Sequence, residues 1–121
     1  MDILISVKSP KPIYEQIYEQ ISAQILNGEL RPDEALPSIR TVAKELDISV
    51  ITVKNAWETL ENNGFIYTVA GKGCFVDAYH GQNLNDKKYE LAREKLKANL
   101  TFYKNLKISY EELVKLIKEI Y

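Results

Sequence analysis

The sequence predicts a mainly α-helical chain with one small β wing. Three observations carry that reading. Two short apolar stripes of helical period stand on either side of Asp47-Ile48. Two runs rich in β-branched and aromatic residues follow, separated by Ala70-Gly71-Lys72-Gly73. Two more helical stripes fill the last third of the chain, beyond a polar connector. Together they describe a winged helix-turn-helix over residues 1–80 and a helical extension over residues 81–121.

Ile3-Leu4-Ile5-Ser6-Val7 reads as a short strand or an arm that packs on the domain. Ser9-Pro10-Lys11-Pro12 is a stiff lead-in, because the residue before each proline is pushed toward extended geometry. Pro12 suits a helix start. Ile13, Tyr14, Ile17, Tyr18, Ile21, Ile25 and Leu26 then form one apolar stripe, closed by Asn27-Gly28. This is the expected scaffold helix. Arg31 to Pro37 is a loop.

Ser38 is placed to cap the next helix, whose apolar face is Ile39, Val42, Ala43 and Leu46. Asp47-Ile48 makes the turn, since Asp tolerates a left-handed conformation. Ser49 caps a second helix, about Val50 to Asn62, that buries Val53, Ala56, Trp57 and Leu60. At about 100° per residue, Ile51, Asn55, Glu58 and Asn62 point the other way, with Thr52 and Lys54 beside them. In a helix-turn-helix the start of the second helix enters the major groove. There Asn pairs with adenine, and Ile, Val or a Thr methyl packs on the thymine methyl. Gly64 ends the helix as its C′ residue. Phe65 to Val69 and Cys74 to Val76 are the strands of the wing, and Lys72 puts a positive charge at its tip, suited to a phosphate backbone or the minor groove.

Asp77 to Asp86 is the polar connector. A helix of about Lys87 to Asn105 follows, with Tyr89, Ala92, Leu96, Leu100 and Tyr103 on one stripe. Ser109 and Glu112 form a capping-box signature for a last helix, whose apolar face is Leu113, Leu116, Ile117, Ile120 and Tyr121. About 40 residues in two helices are too few to bury a core alone. The economical partner is the same pair from a second subunit, so Tyr89, Leu96, Leu100, Tyr103, Leu113, Ile117 and Ile120 are expected to form a homodimer interface.

Leu36-Pro37-Ser38-x-Arg40, Ala43, Ile48-Ser49, Thr52-Val53, Ala56, Leu60, Gly64-Phe65-Ile66 and Gly71-Lys72-Gly73 resemble the winged helix-turn-helix of GntR-type bacterial transcription regulators. The short tail resembles the YtrA-type subfamily, which carries a two-helix dimerisation extension. The resemblance implies a regulator, expected to be a repressor, that binds a double-stranded DNA operator. It implies that Arg40, the start of the recognition helix, Lys54 and the wing glycines face DNA. The expected DNA-binding set is Ser38, Arg40, Ser49, Val50, Ile51, Thr52, Lys54, Asn55, Gly71, Lys72 and Gly73. One departure stands out. The family usually has Arg directly after the Ser of the recognition helix, where this chain has Val50, and this shifts readout toward apolar contacts.

Composition sets the remaining bounds. The 121 residues suit one globular domain with a small appendage, and 45% apolar with 27% charged residues is ordinary for a soluble protein. No apolar run is long enough to span a membrane, and the first residues lack a signal-peptide pattern. One cysteine fits a reducing cytoplasm. Cys74 reads as a small packed strand residue. His80 reads as a connector residue, because no second His or Cys stands at ligand spacing. No cofactor, metal or catalytic set is expected, and no polar constellation picks out a small-molecule effector.

The net charge of −1 does not advertise nucleic-acid binding. Residues 1–80 hold 7 Lys and Arg against 11 Asp and Glu, and residues 81–121 hold 9 against 6. DNA binding must therefore rest on local placement of Arg40, Lys44, Lys54 and Lys72, with a modest salt dependence per subunit. The acidic balance of the first part favours a second reading, a winged module for protein contacts alone.

Overall fold

The computed structural model describes residues 1–77 and 84–121, with side chains from 86 onward in the second stretch. The predicted Asp77–Asp86 connector, His80 included, falls largely outside these. The elements run α1 (Ile13–Leu26), α2 (Ile39–Leu46), α3 (Val50–Asn62), β1 (Ile66–Val69), β2 (Gly73–Val76), α4 (Leu84–Asn105) and α5 (Tyr110–Ile120). This is a mainly helical winged helix-turn-helix with a hairpin wing and two C-terminal helices. The chain divides into two compact units, Met1–Leu84 and Asn85–Tyr121. Among the described residues no helix is long and apolar enough to cross a membrane.

The core of the first unit lies where α1 packs across α3. Ile17, Ile21 and Ile25 of α1 are buried, as are Val53, Ala56, Trp57 and Leu60 of α3. Tyr14, expected on the α1 stripe, is instead 37% exposed. It lies in the first turn of the helix, beside the lead-in. Phe65, fully buried, meets the Tyr18 ring edge-on at 5.9 Å. The hairpin register pairs Ile66 with Val76 and Tyr67 with Phe75, whose rings stack at 5.6 Å.

The outer edge of β2 is not left bare. Asp33 N–H donates to the Val76 carbonyl at 2.8 Å, and Val76 N–H donates to the Glu34 carbonyl at 2.9 Å. Leu36 N–H donates to the Cys74 carbonyl at 2.9 Å. The loop before α2 thus serves as a partial third strand, which satisfies backbone groups that an edge would leave open.

The N-terminal segment is an arm, not a strand of the sheet. Side-chain amides of α1 tie it down. Gln16 accepts from Ser6 N–H at 2.9 Å and donates to the Ser6 and Lys11 carbonyls at 3.0 and 2.9 Å. Gln20 accepts from Leu4 N–H at 2.8 Å and donates back to the Leu4 carbonyl at 2.6 Å. Gln24 donates to the Asp2 carbonyl at 2.6 Å. Every second arm residue therefore meets every fourth helix residue.

Three helices end on the same device. After α2, Asp47 adopts φ 54°, its N–H donates to the Lys44 carbonyl, and Ile48 N–H reaches the Ala43 carbonyl at 3.0 Å. Gly64 (φ 77°) and Phe65 repeat the pattern after α3, with bonds to Glu61 and Leu60. Lys107 (φ 60°) and Ile108 repeat it after α4. Each is a Schellman close, which satisfies the last carbonyls and reverses the chain.

In the second unit the Ser109–Glu112 capping box forms, and its hydrogen bonds to Ser109 hold the Glu112 carboxyl below its ordinary range. The helix α4 begins at Leu84, three residues before the expected Lys87. None of residues 86–121 is buried.

Two stability effects follow. Gln16→Ala strips the partners of three backbone groups beside a side chain only 8% exposed. It should cost about 1–3 kcal/mol. Gln20→Ala, on a more open rung, should cost under about 1 kcal/mol by urea unfolding. A Cβ at Gly64 meets nothing within 4 Å. Gly64→Ala therefore tests backbone strain alone and should lower unfolding free energy by about 1 kcal/mol.

Candidate nucleic-acid interface

Both helices of the helix-turn-helix begin on the same sequence device, Ser-x-x-Thr. The Ser38 hydroxyl accepts from Thr41 N–H at 3.1 Å and donates to the Thr41 hydroxyl at 2.8 Å. The Ser49 hydroxyl accepts from Thr52 N–H at 3.2 Å and bonds the Thr52 hydroxyl at 2.7 Å. These are N-caps with a second bond between hydroxyls. The spacing is plain in the sequence, but the hydroxyl pairing only appears in the fold. Ser38, Ser49 and Thr52 thus spend hydrogen-bonding capacity on the helix ends.

The face of α3 away from the core is open. Val50 is 49% and Ile51 68% exposed, and Lys54, Asn55 and Glu58 are exposed too. Val50 and Lys54 share one ridge, and Ile51 and Asn55 share the next, each pair four residues apart. Lys54 Nζ lies 4.0 Å from Glu58 Oε1. That pair is solvated and worth at most a few tenths of a kcal/mol, so it yields easily to a phosphate. Arg40, Lys44 and Lys72 are exposed and make no ion pair among the described residues.

The wing turn places Gly71 at φ 75° and Gly73 at φ 114°, conformations that favour glycine, and Lys72 N–H closes it on the Val69 carbonyl at 2.9 Å. Lys72 is thereby fixed at the tip. Two ties fix the hairpin. The Thr68 hydroxyl donates to Glu61 at the end of α3 at 2.6 Å, and the Tyr67 hydroxyl donates to Asp33 before α2 at 2.8 Å. Neither tie had a signal in local sequence, because each joins residues of different elements. Cys74 is half-buried, with its Sγ 3.4 Å from the Thr68 hydroxyl.

The expected interface residues of the tail lie on α4 and α5. Leu96, Leu100, Tyr103, Leu113, Ile117 and Ile120 line one apolar groove of about 320 Å³. Tyr89 does not; it stands 66% exposed, nearer the start of α4.

The family model described as bacterial regulatory proteins, gntR family, matches residues 13–76, from the start of α1 to the end of the wing. This chain belongs to the GntR family. It is a DNA-binding transcription regulator and not an enzyme. This GntR protein is 33% identical to the transcriptional repressor YtrA of Bacillus subtilis over 98% of this chain and 91% of that one. It is 50% identical over 72 residues to the repressor NagR of the same organism, covering 60% of this chain and 30% of that one. The GntR protein thus spans less than a third of NagR but nine-tenths of YtrA. Among solved structures, a transcriptional antiterminator from Listeria monocytogenes EGD-e is 35% identical with a TM-score of 0.77, covering 98% of this chain and 89% of that one. AraR(DBD) in complex with operator ORX1 is 29% identical with a TM-score of 0.55, over 63% of this chain and 95% of that one.

The wing tie in the GntR protein has a pH signature. The Asp33 carboxylate, accepting the Tyr67 hydrogen bond, holds the phenol above its ordinary 10.0. The tie is complete below pH 10.0 and is lost as pH rises through the raised value. Ultraviolet difference titration of the protein against Tyr67→Phe should show Tyr67 ionising late, and Asp33→Asn should bring it back toward 10.0.

Proposed function

We propose that two copies of this chain join through their α4–α5 units and present a pair of recognition helices to a pseudo-palindromic operator. The dimer represses a promoter that the operator overlaps, in the cytoplasm. The observation that carries the dimer is the tail's lack of any core. Residues 86–121 include no buried side chain, while Leu96, Leu116, Ile117 and Ile120 stand 40% exposed or more. Two helices of 22 and 11 residues cannot stabilise themselves with their apolar faces in water. A second copy of the same groove supplies the missing surface with two-fold symmetry, which is also the symmetry of a palindromic site.

On the DNA side, Arg40, Lys54 and Lys72 supply phosphate contacts, and the start of α3 with Asn55 enters the major groove. Half-sites about 34 Å apart suit such a dimer. A signal that alters the spacing of the two recognition helices relieves repression. That AraR(DBD) was solved on an operator, and that YtrA and NagR are named repressors, supports this reading.

Sedimentation of the full chain should give a dimer. Duplexes enriched from a random library should bind it in preference to scrambled DNA by fluorescence anisotropy. Ile117→Asp should yield monomers and lose about 100-fold or more in affinity for the enriched duplex. Arg40→Ala should weaken binding and lower the log–log salt slope by about one per protomer. A monomer that binds the enriched duplex undiminished, or equal affinity for scrambled DNA, overturns the proposal.

A further inference from the structure

The leading turn of α3 presents a largely apolar surface to solvent. Its two hydroxyls face each other across 2.7 Å, and Ser49 also holds the Thr52 N–H. Two aliphatic side chains, Val50 and Ile51, stand out beyond them, 49% and 68% exposed. Neither is buried in the first unit. Their burial is not needed for the fold, since the core side of α3 is already filled by Val53, Ala56, Trp57 and Leu60. The nearest polar group on the same ridge as Ile51 is Asn55, one turn further on.

We infer that Val50 and Ile51 read the 5-methyl groups of thymine in the operator half-site. This rests on the operator reading above and names the base that the first turn selects. The chemistry is specific. In the major groove only thymine presents a methyl group; guanine, adenine and cytosine edges are marked there by their donors and acceptors. An aliphatic side chain set against those edges strips them of water without returning a hydrogen bond, which is costly. Against a methyl group the same side chain gains apolar burial. The exposed pair therefore favours thymine and disfavours the other bases.

Spacing sharpens the assignment. An Asn amide has the geometry to pair with adenine, and Asn55 stands exposed one turn beyond Ile51. One helical turn advances about 5.4 Å, and successive base pairs about 3.4 Å. With α3 along the groove, the thymine lies one or two base pairs from that adenine in each half-site. Lys54 and Arg40 supply charge beside this pair without sequence preference.

The experiment replaces thymine by deoxyuridine, which removes the methyl group and keeps the Watson–Crick edge. Duplexes enriched from a random library by the full-length chain are resynthesised with single thymines exchanged. One buried methyl corresponds to about fourfold in affinity, from about 0.8 kcal/mol per group at about 1.4 kcal/mol per tenfold. Exchange at the assigned thymine in both half-sites should weaken binding by about fifteenfold. In a Val50→Ser, Ile51→Ser double variant the ratio of thymine to deoxyuridine affinities should fall toward one. Circular dichroism should be unchanged, since both side chains lie outside the core. An enriched site without thymine near the adenine overturns the inference and leaves operator recognition standing. So does a double variant that discriminates as well as the parent chain. A library that yields no enriched sequence overturns operator recognition and this inference with it.

Discussion

The seating of α1 across α3 governs the rest of the first unit. A helix of 13 residues can bury only one face. Once Val53, Ala56, Trp57 and Leu60 are committed inward, helical geometry leaves Ile51, Asn55 and Glu58 outward. The exposed face of α3 is thus the complement of the core. The wing inherits its place from the same packing, because the Gly64 turn delivers the fully buried Phe65 to Tyr18 of α1 before β1 begins. Substitutions in the core of α3 therefore act on that exposed face through position and not through contact.

Electrostatics in this chain works by arrangement. Residues 1–80 carry four more acidic than basic groups. Several of those acids are engaged in the fold's own hydrogen bonds. Glu19 holds Lys11 at 2.9 Å, Glu34 accepts from Arg31 N–H, Glu61 accepts from Thr68, and Asp33 accepts from Tyr67. Arg40, Lys44 and Lys72 have no acidic partner among the described residues. With few cations to neutralise phosphate, the proposed operator binding has to draw more on groove fit and base contacts than that of strongly basic proteins does. An apolar first turn on the recognition helix is consistent with that balance.

The helices, the turn at Asp47 and the hairpin were all legible, because each leaves a period or a cap in consecutive residues. The Ser49 cap and Gly64 close are local chemistry, and local chemistry is what a sequence displays. The arm was half legible. Its apolar residues suggested a short strand or a packing arm, but nothing in the local pattern singled out Gln16, Gln20 and Gln24. Only their distance from Ser6, Leu4 and Asp2 reveals their use. The pairing of residues 33–36 with β2 was hidden for a related reason: a segment framed by Pro32 and Pro37 reads as loop. At the candidate site, the exposure of Ile51 and Asn55 followed from the helical period. The engagement of Ser49 with Thr52, and the ties at Tyr67 and Thr68, depend on rotamers and on contacts between elements.

The glutamine clasp on the arm carries its own limit of length. Two extended residues advance about 6.7 Å, whereas four helical residues advance about 6.0 Å. The two rulers drift by about 0.7 Å at each step. Ser6 and Leu4 each receive a two-pronged grip from their amide, while Asp2 is held by a single bond. A fourth step would be out of phase by about 2 Å relative to the first, beyond the tolerance of a hydrogen bond. A strand laid along a helix in this way works as a vernier, and it can be fastened at about three marks before the scales disagree.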